Sequence, residues 1–304
     1  MARRLNEQRA ILLQQGIPMP DRDSPEIDNL PNGAPDHRRP PYRPNVIRAL
    51  KSRLLWATHL VAPRLVFGPG FASSRRLSRV ELNLLLFEPW YHDYRPLGVR
   101  TLQHGGIYER NQTSKQDVLF PMIDRAIDLC RASTQDPSVV ELFCADGFYA
   151  SYCASRGLTS IEGVDLDEHE IHNARLATRV LGHDDRVTFS LRSVSDLERS
   201  YEIGICAGGL YHLTEPGRLL RTLTENITHA LVVQSLISLV DESEDHFEAP
   251  APGQDWGSRF SYAHLRRLLV DAGWRILDEA RNELEGNVGA LHRGSAYFLC
   301  APPE

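Results

Sequence analysis

From Ser138 onward, short apolar runs alternate with amphipathic helical stretches, and few folds accommodate that rhythm. Ser138 to Phe143, Ser160 to Val164, Val187 to Leu191, Ile203 to Ala207 and Ala230 to Leu239 read as buried strands. Gln116 to Ala132 precedes the first of them with helical spacing. Phe148 to Arg156, His169 to Leu181 and Gly217 to Asn226 lie between them with the same spacing. Strands that return through helices run parallel and need cover on both faces, which predicts a doubly wound α/β domain of at least five strands. Near the end, SYAHLRRLLVDAGW reads as a helix stopped at Gly273. RILDEARNEL and SAYFLCAP then read as a hairpin, an antiparallel addition to the sheet.

Ahead of this domain the pattern is different. Eight prolines between Gly16 and Pro44 rule out a continuous helix, so residues 1–44 read as a linker or disordered arm. Asn45 to Val66 returns to helical spacing, with Val46, Leu50, Leu54 and Leu55 on one side and Arg48, Lys51 and Arg53 on another. Such a helix packs on the body or, as a basic amphipathic surface, touches a membrane or partner. EPWYHDYRPLGVRTLQHGGIYERNQTSKQ follows, dense in aromatic residues, and is either a cover or part of a substrate pocket. The expected division is an arm over 1–44, an N-terminal helical cover region over 45–115 and the sheet domain over 116–304.

The formal charge of the 304 residues is −6, unevenly spread: +5 over residues 1–66 and −11 over the rest. An acidic body is a poor partner for a polyanion, because nucleic-acid affinity comes largely from neutralising phosphates. Five cysteines with no C-x-x-C pair fit a reducing cytoplasm, and no apolar stretch approaches the roughly 20 residues that span a bilayer. Neither export nor membrane insertion is expected. The oligomeric state is open, and a homo-oligomer is admitted. Asp241, Glu242, Glu244, Asp245 and His246 form an acidic run without metal-ligand spacing, so no metal is expected.

The chemistry is concentrated in VVELFCADGFYA, a strand that enters a tight turn and then a helix at the carboxyl edge of the sheet. The next strand ends at Asp165, 24 residues after Glu141, where a carboxylate can accept hydrogen bonds from both hydroxyls of a ribose. Asp167 is the better placed cap for the following helix. Residues 117 to 300 resemble a class I S-adenosylmethionine-dependent methyltransferase, whose Rossmann-like fold has seven strands with an antiparallel C-terminal strand. In that family an acidic residue precedes a Gly-x-Gly-x-Gly turn; Glu141, Phe143, Ala145 and Gly147 occupy those places, so two of the three glycines are replaced. The resemblance implies S-adenosylmethionine as cofactor, held by Glu141, Phe143, Cys144, Ala145, Gly147, Asp165, Leu166, Ser193, Val194, Ala207 and Gly208. It also places Tyr211 and His212 beside the transferred group. Phe260-Ser261 and Ala272-Gly273-Trp274 match the late helix pattern.

Over roughly residues 86 to 240, the Leu210-Tyr211-His212 triplet, the extra N-terminal region and Phe120-Pro121 are similar to the tRNA wobble-uridine carboxymethyltransferase group, whose members use carboxylated S-adenosylmethionine. The region ahead of the sheet shows no evident lysine to hold that extra carboxylate, Lys115 being the only one nearby, and Arg100 or Arg110 could substitute. Tyr211 and His212 are the catalytic candidates, His212 as a base for a hydroxyl or amine. His92, His104, Tyr108, Trp256 and Arg293 are the substrate candidates, and His292 shares the last loop with Arg293. Three readings follow: methyl transfer to a small-molecule acceptor such as a natural product or sugar, modification of a tRNA wobble base with carboxy-S-adenosylmethionine, or a cofactor-binding protein that has lost catalysis.

Overall fold

A computed structural model describes residues 46–72 and 74–303; the expected arm over 1–44 lies outside the described residues. Seven strands form the central sheet: β3 (Val139–Leu142), β4 (Ile161–Asp165), β5 (Val187–Leu191), β6 (Tyr201–Ala207), β7 (Ile227–Ile237), β10 (Arg275–Glu283) and β11 (Gly294–Ala301). Their order is β10-β11-β7-β6-β3-β4-β5. Val139 pairs in parallel with both Ile161 and Ile203, so the chain leaves β3 towards one edge and later returns to its other side at β6. The carboxyl ends of β3 and β6 therefore flank the crevice where doubly wound sheets bind ligands. Strand β11 runs antiparallel to both β7 and β10, as the hairpin reading required. All four residues of β3 are buried, the signature of a strand covered on both faces.

The helices begin and end where local chemistry directs. Asp167 caps α6 (Glu168–Leu181) by accepting from the His169 and Glu170 N–H groups, and Gly182 closes it in a left-handed conformation. Ser261 caps α8 (Tyr262–Asp271), accepting from His264 N–H at 2.9 Å. Helix α7 (Pro216–Asn226) opens on proline, whose missing N–H costs nothing at a first turn. Helix α5 (Phe148–Ser155) is capped by Glu141 from the preceding strand, which accepts from the Ala150 and Tyr149 N–H groups at 2.7 and 3.3 Å.

The N-terminal pattern departs from the single helix the spacing predicts. Pro63 interrupts it, leaving α1 (Val46–Val61) and α2 (Pro63–Phe67). The expected apolar face is not the one that packs: Leu50 and Leu54 are exposed, whereas Ser52 and His59 are buried. Ser52 Oγ donates to Asn83 Oδ1 at 2.6 Å, and His59 Nε2 accepts from Leu77 N–H at 3.1 Å, on the segment leading into and through α3 (Arg79–Phe87). Of the expected face, Leu55 packs on the core beside Trp56, and the polar contacts of Ser52 and His59 set the rest of the orientation of α1. The helix packs on the body, and no helix among the described residues is long and apolar enough to cross a membrane.

Strands β1 (Pro89–Trp90) and β2 (Leu102–Gln103) pair in parallel as a small ribbon. Trp90 and Tyr94 are fully buried and share one apolar cluster with Val139, Phe148 and Ile203 of the sheet domain. Helix α4 (Ile107–Arg131) starts at Ile107, nine residues ahead of the expected Gln116, with Gly106 in a left-handed conformation at its entry. A final short ribbon, β8 (Phe247–Glu248) with β9 (Arg259–Phe260), belongs to the insertion after β7. A one-turn helix, α9 (Ala290–Arg293), leads into β11.

Candidate active site

The turn after β3 keeps the backbone that glycines would give it. Phe143 and Ala145 sit at φ 54° and 45°, and Gly147 at 75°. Left-handed backbone at two side-chain-bearing residues stores about 1–3 kcal/mol each, a strain that persists only where surroundings impose it. Asp165 is one such constraint: its Oδ2 accepts from Ala145 N–H at 2.9 Å, and its Oδ1 from Asp167 N–H at 2.9 Å. The Phe143 ring is turned onto Gly209, where a Cβ would stand 1.9 Å from Phe143 Cδ2. Gly209 has an ordinary negative φ, so glycine is required there for space alone.

A cavity of about 340 Å³ opens at this edge of the sheet, within the ~300–1,000 Å³ range of small-molecule sites. One end is acidic, with Asp165, Asp167 and Glu170 on its wall. Burial, opposed by its N–H partners, holds the Asp165 carboxyl above its ordinary range. Glu170 is raised by burial and then by the like charges of Asp146, Asp167 and Asp165.

Helix α4 supplies the next wall. Tyr108, Asn111, Gln112 and Lys115 recur at helical spacing along one face, and all four line the cavity. Gln112 fastens the cover loop, accepting from Asp93 N–H at 2.8 Å and donating to Asp93 C=O at 2.9 Å. Asn111 fastens the far loop, donating to Asn287 and accepting from Gly286 N–H. Lys115 lies beside the turn after β6: a Cβ on Gly208 would stand 3.7 Å from both Lys115 Nζ and Gln234 Oε1. Burial without a compensating carboxylate lowers Lys115 to about 8. Gln234 Oε1 is buried and has no hydrogen-bond donor among the described residues.

Another part of the wall is aromatic and basic. Tyr211 and His212 stand on a single 3₁₀ turn, Leu210–His212, after β6. His212 stacks on Trp256 with ring centroids 5.3 Å apart and planes 12° apart. Burial, reinforced by the Arg259 and Lys115 charges, lowers His212 to about 4, so its imidazole is neutral at physiological pH. The Tyr211 hydroxyl is raised by burial and stays protonated. The insertion reaches this turn through Ser258, which donates its N–H to Tyr211 C=O at 3.0 Å and its hydroxyl to Leu213 C=O at 2.7 Å. Gly257 has φ 69°, and a Cβ on it would lie 2.6 Å from the Tyr211 oxygen; glycine alone permits that approach.

The cavity gathers Ala145, Asp165, Tyr211, His212, His92, His104, Tyr108 and Trp256 from the sequence candidates, together with His292. The others stand elsewhere. Glu141 is engaged by the first turn of α5, and Cys144 is packed against Gly163 with its thiol pushed well up by burial. Gly147 lies under Phe189, while Ser193 and Val194 are buried behind the wall. Gly208 adjoins the wall at Lys115, and Leu166 and Ala207 are half-buried at its strand ends. Arg293 turns away and pairs with Glu283 at 2.9 Å. His92 faces the cavity from a buried brace: its Nδ1–H donates to Asp146 Oδ1 at 2.6 Å, its backbone N–H to Oδ2 at 2.7 Å, and its ring stacks on Phe148. The Tyr94 hydroxyl completes the brace by donating to Asp146 C=O.

Tyr91 comes from the aromatic block expected as a cover or pocket wall, whereas Asn111, Gln112, Glu170, Gln234 and Arg259, also on the wall, are not singled out by the sequence. Tyr108, Asn111, Gln112 and Lys115 were recoverable from their helical spacing had α4 been started at Ile107. Arg259 lies in the PAPGQDWGSRF segment, which reads as a lid or substrate-side insertion with Trp256 as a possible wall, but the fold is needed to bring this arginine inward.

Residues 115–279 match the family model described as a methyltransferase domain. The chain belongs to that family. A ubiquinone biosynthesis O-methyltransferase of Neisseria meningitidis serogroup A / serotype 4A is 24% identical over 170 residues, 51% of this chain and 69% of that relative. Among solved structures, the N-terminal domain of EvdMO1 with SAH bound has a TM-score of 0.50 at 20% identity, covering 77% of this chain and 99% of that one. Magnesium protoporphyrin IX methyltransferase from Synechocystis PCC 6803 with bound SAM has a TM-score of 0.49 at 17% identity, covering 66% and 85%. The methyltransferase domain match begins at Lys115, so Tyr91, His92, His104 and Tyr108 come from outside it.

Proposed function

We propose that the protein transfers a methyl group from S-adenosylmethionine to a hydroxyl or amine of a small, flat acceptor. The observation that carries this reading is the polarity of one cavity, acidic at Asp165 and aromatic around a neutral His212. The residues suit the cofactor: Asp165 for the ribose hydroxyls, and Lys115 with the unsatisfied Gln234 carbonyl for the carboxylate and ammonium of the methionine part. When bound, the cofactor supplies an electrophilic methyl group on a sulfonium. His212 would accept the hydrogen bond of the acceptor and take its proton as the bond to the methyl carbon forms and the carbon–sulfur bond breaks, leaving S-adenosylhomocysteine. Tyr211, protonated, donates a hydrogen bond in the same pocket, and the Trp256–His212 stack fixes the plane of the imidazole. The replaced glycines do not argue for lost catalysis, since the turn keeps a left-handed backbone at both positions. Five free, buried cysteines support the proposed reducing compartment. Calorimetric titration with S-adenosylhomocysteine tests the reading: micromolar binding is expected, lost in Asp165→Asn, and no measurable affinity would sink it.

One observation favours a second reading. The lysine that the carboxymethyltransferase resemblance calls for ahead of the sheet is present in the cavity as Lys115, whose burial the sequence did not reveal. Carboxy-S-adenosylmethionine would offer that ammonium a second carboxylate, and a tRNA wobble uridine would then be the acceptor. The mass of the cofactor that copurifies separates the two readings directly.

A further inference from the structure

The cavity holds a cation that the cofactor does not explain. Arg259 stands on β9 in the insertion, on the Tyr211 side of the pocket, and only 4% of its surface is exposed. Its Nη1 donates to Ser258 C=O at 2.8 Å and its Nε to His292 Nδ1 at 3.0 Å. Its guanidinium carbon lies 5.8 Å from the centre of the Tyr211 ring. These partners are neutral: His292, which accepts from Arg259, is itself held below its ordinary range by burial and by that guanidinium. No carboxylate pairs with Arg259 among the described residues. A buried guanidinium satisfied only by a carbonyl, an imidazole and a π face keeps its charge at a cost that a ligand carboxylate would offset.

We infer that Arg259 is the anchor for an acidic group on the acceptor, which makes the acceptor class an aromatic carboxylic acid. This rests on the methyl-transfer reading and deepens it. The planar guanidinium fork matches a carboxylate, and Nη2 is the edge left over by the Ser258 and His292 bonds. The aromatic half of the assignment comes from the walls: Tyr91 and Tyr108 meet edge to face at 5.2 Å, and the Trp256–His212 pair presents a stacked plane. Asp165, Asp167 and Glu170 make their part of the wall acidic, so the carboxylate of the acceptor is drawn to Arg259 and repelled from the carboxylates. The acceptor therefore lies in a fixed direction, its acid towards the insertion and its nucleophile towards His212.

The test uses the full-length protein saturated with S-adenosylhomocysteine and two probes of equal shape, 3,4-dihydroxybenzoate and 3,4-dihydroxybenzamide, titrated by calorimetry. The carboxylate is expected to bind at least tenfold more tightly than the amide. Arg259→Gln should erase that preference while S-adenosylhomocysteine affinity stays within twofold, and Arg259→Lys should keep part of it. The comparison of probes on the unaltered protein needs no variant, so a misfolded Arg259→Gln leaves the test intact. Equal affinity for the two probes, or no measurable binding of either, overturns the inference while cofactor binding still stands. Absence of S-adenosylhomocysteine binding strikes the methyl-transfer reading instead.

Discussion

Phe143 and Gly209 are two halves of one substitution. A ring at a position that turns left-handed has to go somewhere, and it goes to the space a side chain on residue 209 would fill. Gly209→Ala should therefore lower stability by about 1–3 kcal/mol through overpacking, read from the shift in a denaturant midpoint. Adding Phe143→Gly to that variant should recover most of the loss; a double variant no more stable than Gly209→Ala would show the two positions to be independent. The titrating groups give a second prediction. A base works in its neutral form, and His212 is neutral above about 4, so kcat/KM should rise through about pH 4 and stay level through 6.5. An inflection near 6.5 that survives in His212→Asn would assign the base elsewhere. Lys115 is charged below about 8, so affinity for S-adenosylhomocysteine should fall as pH rises past that value, by up to about tenfold per unit. Lys115→Met should bind weakly and show no such slope.

At the level of elements, the cover is part of the site because Asp146 reaches out of the cofactor turn to hold it. Asp146 is fully buried and takes two bonds from His92 through its carboxylate and one from Tyr94 through its carbonyl. Asp146→Asn should destabilise the protein by about 1–3 kcal/mol, the range for leaving a buried hydrogen-bonding group without its partner. Amide exchange should then accelerate over residues 89–104 more than over β6 and β7. Uniform acceleration would mean that Asp146 supports the whole sheet and not the cover. The elements also show what was legible beforehand. Strands such as the Ile203 to Ala207 run of β6 announce themselves because a strand buried on both faces is apolar without a break. Helix α1 misled because its buried side is Ser52 and His59, and hydrophobic spacing is silent about polar matching. Helix α4 was cut short because Arg110 to Gln116 is wholly polar, although it is this polar stripe that faces the cavity.

For the molecule as a whole, the topology followed from the alternation of patterns, including the antiparallel last strand. The cavity did not, because its walls come from α4, the turn after β6, the insertion and the last loop, which meet only after folding. Net charge bears on the partner at this scale. With −11 over residues 67–304, tRNA should not be retained at about 50 mM salt if the acceptor is small. Salt-sensitive retention would move the weight to the wobble-base reading.

The insertion after β7 touches the turn of Tyr211 through Ser258 and the close approach at Gly257, and it takes no part in the fastening of Asp165 or Asp146. The insertion's proposed share in choosing the acceptor, through Arg259 and Trp256, is thus written apart from Asp165 and Asp146, while Tyr91, Tyr108 and His212 complete the wall from the body. A change of acceptor can begin in the insertion with the fastening of Asp165 and Asp146 inherited untouched.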